Sequence, residues 1–391
     1  MTAPRNSSRV LFFIPTLEAG GAERACLNYL NHLDSLEKFL LLQSRRGPLL
    51  HQVGPAIPVL EVEREEWDPA LSGLKRSFAA SVLRVVRNAY KVAESARRNR
   101  CSIVASFITA ANVIAILSKV FHPRLRVVIN VHDITSKILE HTALTRSRRL
   151  LLRWLIRLLY PRADVIVAVA HGIKRDLIES FGIPAHKIVM IYNPIDERSL
   201  HARAQEPVDH AWFGSREHFL IVAVGRLVKL KGFDLLIQAV AQLSLPTKLV
   251  IIGEGEERSS LERLITALGL AERVALLGFQ ENPWKYMARA DLFVLSSLTE
   301  GMPNVIGEAM ALGLPIVATD CSPGVREYLD DGRAGLIVSP GDPKALAWGI
   351  ERLLSDELLR TELARRGRER IAQFDLSTAI EAYEKLLQSL L

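Results

Sequence analysis

At 391 residues, 49% hydrophobic and 24% charged, the chain is too long for one ordinary core and too apolar to be disordered, so two globular domains of about 150–200 residues each are expected. A formal net charge of +7 implies an anionic partner, and nucleic acid, an anionic membrane face and phosphorylated small molecules all qualify. The three cysteines, Cys26, Cys101 and Cys321, are odd in number and far apart, which argues against a disulfide framework or a zinc site and for a reducing cytoplasm.

Met1 to Arg9 is polar and runs straight into the apolar Val10–Ile14, which lacks the length and cleavage site of a signal peptide. No window reaches the roughly 18–20 apolar residues of a membrane span, so the protein is expected to be soluble or peripheral. Short apolar runs then alternate with segments of helical period, the pattern of βαβ units and parallel sheets. In the first half, strands are predicted at Val10–Ile14, Phe39–Leu42, Ile57–Val62, Ile103–Ser106, Val127–Asn130, Asp164–Val169 and Ile188–Ile191. Helical stretches lie between them at Ala22–Leu33, Phe78–Arg98 and Gly172–Glu179. The turn-forming Tyr192-Asn193-Pro194-Ile195-Asp196 breaks the pattern and marks a hinge, followed by a polar stretch from Glu197 to Ser215.

In the second half, strands are predicted at Phe219–Val224, Lys248–Ile252, Val274–Leu277, Asp291–Leu295, Ile316–Ala318 and Gly335–Val338. Helices are predicted at Phe233–Leu243, Glu256–Leu268, Asn304–Ala311 and Pro343–Leu354, with further helical segments from Asp356 to Leu390. Two such α/β domains meeting at a linker form a cleft where the strand carboxyl ends converge, and ligands bind in such crevices.

Three constellations carry chemistry. Directly after the first strand, Gly20-Gly21 in Glu18-Ala19-Gly20-Gly21-Ala22-Glu23-Arg24 allows positive φ and close approach of a ligand to the backbone, ahead of a helix start that presents free N–H groups. An ordinary tight turn would look the same. In Val224-Gly225-Arg226-Leu227-Val228-Lys229-Leu230-Lys231-Gly232, Arg226 offers a planar fork for phosphate oxygens and Lys231 a compact charge, although a solvated basic loop would read alike. Gly253-Glu254-Gly255 has the same placement after the next strand. Most informative is Glu300-Gly301-Met302-Pro303-Asn304-Val305-Ile306-Gly307-Glu308, with two glutamates eight positions apart around a helix start. Carboxylates accept several hydrogen bonds and suit sugar hydroxyls, and the apolar residues between them suggest a partly buried loop rather than two surface charges.

In this order, Gly20-Gly21, Gly225-Arg226 with Lys231-Gly232, Gly253-Glu254-Gly255 and Glu300 to Glu308, with Gly313 to Asp320 downstream, the chain resembles the GT4 family of retaining GT-B glycosyltransferases. The resemblance runs from the first strand to the last helix. It implies an α/β fold of two doubly wound Rossmann-like domains facing across a cleft: an acceptor-side domain over 1–195 completed by 376–391, and a donor-binding domain over 196–375. It places Glu300 on donor-sugar hydroxyls, Glu308 on the ribose, Arg226 and Lys231 on the departing diphosphate, and Gly20-Gly21 near the diphosphate or acceptor. Met302, Pro303 and the backbone at Asn304-Val305 would help hold the donor, and His132 in Asn130-Val131-His132-Asp133 would line the sugar site. The sequence contains no Asp-x-Asp motif, and the resemblance implies neither a metal nor another cofactor, with cationic residues serving the leaving group instead.

Arg146, Arg149, Arg153 and Arg157 recur at spacings of three and four beside Leu, Ile and Trp. Read as a helix, this basic stripe suits an anionic bilayer or a lipid-linked diphosphate; a buried helix with its arginines toward solvent is the plainer alternative. No nucleic-acid motif accompanies it, so nucleic acid is not expected as a partner. The bacterial flavour of the glycine and Glu-x7-Glu segments favours a UDP-sugar donor and a lipid-linked or surface-polysaccharide acceptor, at the cytoplasmic face of the membrane. Two other readings of the same architecture are a nucleotide-sugar epimerase, for which no distinctive base stands out, and a non-catalytic sugar-nucleotide-binding protein.

Overall fold

The computed structural model describes residues 9–18, 20–62, 78–141, 145–214 and 217–391. Of the segments read from sequence, 1–8 of the polar N-terminus, Ala19 of the first glycine loop and Ser215 of the polar stretch lie outside the described residues. The chain divides into two compact units, Met1–Pro194 with Ser377–Leu391, and Ile195–Leu376.

The first unit holds seven parallel strands: β1 (Arg9–Ile14), β2 (Glu37–Leu42), β3 (Val59–Glu61), β4 (Ile103–Phe107), β5 (Arg126–Val131), β6 (Val165–Ala168) and β7 (Ile188–Met190). Their order in the sheet is β3-β2-β1-β4-β5-β6-β7, with Arg9 opposite Glu37 and Val10 opposite Ile103 fixing the register at the centre. The helices are α1 (Gly21–His32), α2 (Phe78–Arg98), α3 (Thr109–Phe121), α4 (Thr135–His141), α5 (Arg146–Leu159) and α6 (His171–Phe181). Right-handed crossovers put α1 on one face of the sheet, and α2, α3, α5 and α6 on the other, where α2 packs on α3, α3 on α5 and α5 on α6.

The second unit contains α7 (Glu197–Ala204), β8 (Phe219–Val224), α8 (Phe233–Ala241), β9 (Thr247–Ile252), α9 (Arg258–Ala267), β10 (Val274–Leu276) and α10 (Trp284–Met287). It continues through β11 (Leu292–Leu295), α11 (Asn304–Ala311), β12 (Ile316–Thr319), α12 (Pro323–Tyr328), β13 (Leu336–Val338), α13 (Pro343–Ser355) and α14 (Glu357–Arg370). Its six parallel strands run β10-β9-β8-β11-β12-β13. Two doubly wound Rossmann-like sheets are thus present, as the resemblance implies. The polar stretch after the Tyr192–Asp196 turn opens with α7: Asp196 caps it by accepting from Ser199 N at 3.0 Å, and Leu200 and Ala204 are buried.

The last helix, α15 (Leu376–Gln388), belongs to the first unit's core. Ala379, Tyr383 and Leu387, spaced four apart, are buried against β1 and α1. The Tyr383 ring stacks on Tyr29 with centroids 4.1 Å apart, and its hydroxyl accepts from Asn130 Nδ2 at 2.9 Å. Asn130 also donates to Ser106 O at 3.0 Å, and Asn112 donates to Asn130 O at 2.8 Å, so one buried polar network joins β4, β5, α3 and the C-terminal helix. The two segments where the chain passes between units are tied together within the second one: Ile195 N donates to Phe374 O at 3.0 Å and Leu376 N to Ile195 O at 3.2 Å.

Candidate active site

In an open parallel sheet, ligands bind beyond the strand carboxyl ends where the strand order reverses. In the second unit that point lies between β8 and β11. The loop after β8 carries Gly225, Arg226 and Lys231, and the loop after β11 carries Glu300. Lys231 Nζ meets Glu300 Oε1 at 2.5 Å across this point, with 23% and 14% of the two side chains exposed.

The sequence builds this contact locally. Lys231 closes a single 3₁₀ turn (Lys229–Lys231) capped by Gly232, whose φ of 61° is left-handed and whose absent Cβ would stand 2.3 Å from Ser296 O. The two loops therefore lie in direct contact: Ser296 Oγ donates to Lys231 O at 2.9 Å and Leu298 N to Leu230 O at 2.8 Å. Gly225 leaves room for the Lys231 stem, whose Cδ and Cε lie 3.4 Å from where a Cβ would be. Gly253 and Gly255 bring the loop after β9 against the same turn, since added Cβ atoms would stand 1.9 Å from Gly225 O and 2.3 Å from Leu227 O.

Glu300 is held by more than Lys231. Ser297 Oγ donates to Glu300 Oε1 at 2.6 Å, and Thr319 Oγ1 in turn donates to Ser297 O at 2.6 Å. Ser322 Oγ donates to Gly301 O at 3.0 Å, fixing the loop that leads into α11. Ser297, Thr319 and Ser322 were not read as site residues from sequence. Their one signal is position, since small hydroxyl residues follow apolar strands where only the fold decides what they meet.

Met302, Pro303, Asn304 and Glu308 are all buried, while Val305 is half-buried, so the Glu-x7-Glu segment is an interior loop and helix start. No side chain caps α11, and Ile306 N donates to Pro303 O at 3.0 Å to close its first turn. Glu308 is only 9% exposed, and its carboxylate has no partner among the described residues. Arg226 is exposed, and its guanidinium likewise makes no hydrogen bond or ion pair with a described residue. Cys321 is buried beside this cluster; burial and the Glu300 charge push its thiol up to about 12, which keeps it protonated and unreactive at neutral pH.

In the first unit the strand order reverses between β1 and β4. Gly20 lies beyond β1 at φ −89°, so it is not needed for a left-handed turn; a Cβ there would meet the Glu23 carboxylate at 2.3 Å. Gly21 opens α1, which no side chain caps. Beyond β4, Ile108 adopts φ 75° and ψ 140°, a costly conformation for a β-branched residue and one that sequence does not announce.

His132 follows β5, is 9% exposed and tilts against Phe107 with ring centroids 5.8 Å apart. Neither ring nitrogen has a hydrogen-bond partner among the described residues. Burial lowers its pKa to about 4, with the Asn193 side chain pulling weakly the other way, so the ring is neutral at physiological pH. Between pH 6.5 and about 4 the unfolded chain binds the extra proton, so stability falls as pH drops through this window and levels below it. The expected loss is about 3 kcal/mol, read as unfolding free energy against pH and absent from the same profile of a His132→Asn variant.

Arg146, Arg149, Arg153 and Arg157 lie on α5 of the first unit. The helix's buried face is Ile156 and Leu159, the arginines run along one flank, and leucines with Trp154 face outward. Arg153 stacks over Phe181 at 5.5 Å, and the Arg157 guanidinium lies beside Gly182 at the carboxyl end of α6, where the helix dipole favours a cation.

Comparison with known proteins agrees with this architecture. A profile of glycosyltransferase family 4 matches residues 19–199, and one of glycosyl transferases group 1 matches residues 209–370. The chain is 33% identical over 378 residues to the N-acetylgalactosamine-N,N'-diacetylbacillosaminyl-diphospho-undecaprenol 4-alpha-N-acetylgalactosaminyltransferase of Campylobacter jejuni, covering 96% of this chain and 98% of that protein. It is 42% identical over 171 residues, 44% of this chain and 50% of that protein, to the lipopolysaccharide core biosynthesis glycosyltransferase LpsE of Rhizobium meliloti. Among solved structures, Anabaena HepE in complex with UDP and glucose superposes with a TM-score of 0.79 at 25% identity, over 98% of this chain and 100% of that one. On the profiles, the relatives and the two sheets together, the chain belongs to family 4 of the GT-B glycosyltransferases and is a glycosyltransferase.

Proposed function

We propose that this enzyme moves a sugar, a hexose or N-acetylhexosamine, from a UDP-sugar to a lipid-linked or surface-polysaccharide glycan at the cytoplasmic membrane face, with retention of configuration. The observation that carries the donor half is the Lys231–Glu300 pair at the β8/β11 reversal, a fixed cation beside a fixed carboxylate. Such a pair suits a substrate that is anionic at the diphosphate and hydroxylated at the sugar. The acceptor half is supported by the Campylobacter relative, whose name specifies an undecaprenol-diphosphate-linked glycan, and the choice of UDP by HepE in complex with UDP and glucose.

In this reading Glu300 accepts hydrogen bonds from donor-sugar hydroxyls, and Glu308, buried without a partner, takes the ribose hydroxyls. Lys231, Arg226 and the first N–H groups of α11 at Asn304-Val305 stabilise the diphosphate as the C1–O bond breaks. Gly225, Gly253 and Gly255 let the loops after β8 and β9 pack closely around Lys231 on the donor side, and Met302 and Pro303 set the entry into α11. Gly20-Gly21, at the start of α1, serves the diphosphate or acceptor, and neutral His132 offers a hydrogen bond to the sugar. The acceptor hydroxyl attacks C1 from the side the diphosphate leaves, and its proton passes to the departing phosphate oxygen. Arg146, Arg149, Arg153 and Arg157 assist the diphosphate-bearing acceptor at the membrane. Because fixed cations serve the leaving group, the reaction needs no divalent metal and no other cofactor.

A product analysis tests this. With UDP-GalNAc, UDP-GlcNAc and UDP-glucose offered to a polyprenyl-diphosphate-linked glycan in detergent, one donor is expected to give an α-linked product at the same rate with and without EDTA. A β-linked product, or loss of transfer on chelation that added metal restores, would overturn retention or metal independence respectively.

A further inference from the structure

We infer that Ser297 is the positioning residue of Glu300: it holds one carboxylate oxygen, so that the other, Oε2, is the one presented to a donor-sugar hydroxyl. This rests on the reading of Glu300 as the sugar-binding carboxylate, and adds which atom does the binding and what aims it.

Two donors converge on a single oxygen. Lys231 Nζ and Ser297 Oγ both reach Glu300 Oε1, at 2.5 and 2.6 Å, while Oε2 has no hydrogen-bond partner among the described residues. A carboxylate oxygen has two lone pairs, so Oε1 is filled and the remaining acceptor capacity lies on Oε2. Where Oε2 points is then decided by whatever fixes the rotation of the carboxylate.

The two donors differ in how firmly they can do that. Lys231 ends a flexible four-carbon stem, and in the proposed reaction its ammonium is shared with the donor's diphosphate. Ser297 reaches Glu300 through one short side chain, is 1% exposed, and has its own backbone tied down. Thr319 Oγ1, fully buried at the end of β12, donates to Ser297 O at 2.6 Å. The neighbouring Ser296 donates instead to Lys231 O at 2.9 Å. Adjacent serines thus hold the two members of the ion pair separately, Ser296 the Lys231 backbone and Ser297 the Glu300 carboxylate. When a diphosphate draws on Lys231, Ser297 is the contact that keeps Glu300 aimed. A serine that only shapes a turn bonds to nearby backbone groups, whereas the acceptor here is the functional carboxylate itself.

A double-substitution cycle tests this, with transfer measured from whichever of UDP-GalNAc, UDP-GlcNAc and UDP-glucose the unsubstituted enzyme uses. Ser297→Ala is expected to lower kcat/KM at least about tenfold, while the inhibition constant of UDP, which carries no sugar, stays within about twofold. In a Glu300→Ala background the same substitution should cost no more than about twofold, because the group it acts through is gone. Thr319→Val keeps the side-chain volume and removes the hydroxyl, and should show the same pattern with a smaller loss of about threefold. Thermal midpoints of all variants, measured alongside, confirm that each is folded. Equal losses with and without Glu300, equal weakening of UDP and the UDP-sugar, or full activity in Ser297→Ala would each overturn the proposal. Full activity in Glu300→Ala would instead overturn the reading of Glu300 on which it rests.

Discussion

Replacing Glu300 by Gln is expected to lower glycosyl transfer at least about a hundredfold while leaving the fold in place. The carboxylate sits at the reversal point of the second sheet, held by Lys231 at 2.5 Å and Ser297 at 2.6 Å. Gln keeps the shape and can leave its one acceptor oxygen with Lys231 and Ser297, but it puts an NH2 donor where the second carboxylate oxygen stood. The negative charge beside Lys231 and the acceptor capacity toward sugar hydroxyls are then lost. Lys231→Ala is expected to cost more, about a thousandfold, because it removes a preorganised charge from the leaving group, the kind of term that dominates such catalysis. Lys231→Arg restores charge but not the compact geometry that the Gly225 gap accommodates, so its rescue is partial. Stability should fall by no more than about 1 kcal/mol in Glu300→Gln, since the pair is partly solvated. Steady-state rates and thermal midpoints, measured side by side, separate these effects; full activity in Glu300→Gln would remove this residue from the site.

The largest structural effect is expected at the other end of the chain. Tyr383→Ala should destabilise the first unit by about 4 kcal/mol. It empties a fully buried aromatic position, breaks the stack on Tyr29 and takes the acceptor from Asn130 Nδ2. Tyr383→Phe should cost only about 1 kcal/mol, because the ring stays and Asn130 still donates to Ser106 O at 3.0 Å. Urea unfolding followed with and without these substitutions checks the ranking. Equal effects of the two would mean that the hydroxyl, rather than the ring, holds α15 in place.

Much of this architecture is legible in the residues themselves. Every predicted strand exists, because parallel strands buried on both faces are short, uninterrupted apolar runs bounded by turn residues. Helix α3 was not named: Thr109–Phe121 is rich in apolar residues and buries even Asn112 and Ser118 between the sheet and its helical neighbours, so its polar residues do not mark a solvent face. Of the cluster in the second unit, Arg226, Lys231, Glu300 and Glu308 could be named from spacing. That Lys231 and Glu300 touch could not, since sixty-nine residues separate them and only the β8/β11 adjacency joins their loops. Nor could Ile108, whose φ of 75° is a property of the turn rather than of its side chain. The α5 stripe shows the limit most clearly. Its period was readable, but which face turns outward depends on where Ile156 and Leu159 find a core.

The most direct test of the enzyme reading is release of nucleoside diphosphate from UDP-, GDP- and ADP-sugars, each with and without a polyprenyl-diphosphate-linked glycan acceptor. The account predicts release from one UDP-sugar that depends on the acceptor and is lost in both Glu300→Gln and Lys231→Ala. Release from a GDP- or ADP-sugar alone would contradict the choice of UDP. Acceptor-dependent release that survives in both variants would contradict the site itself.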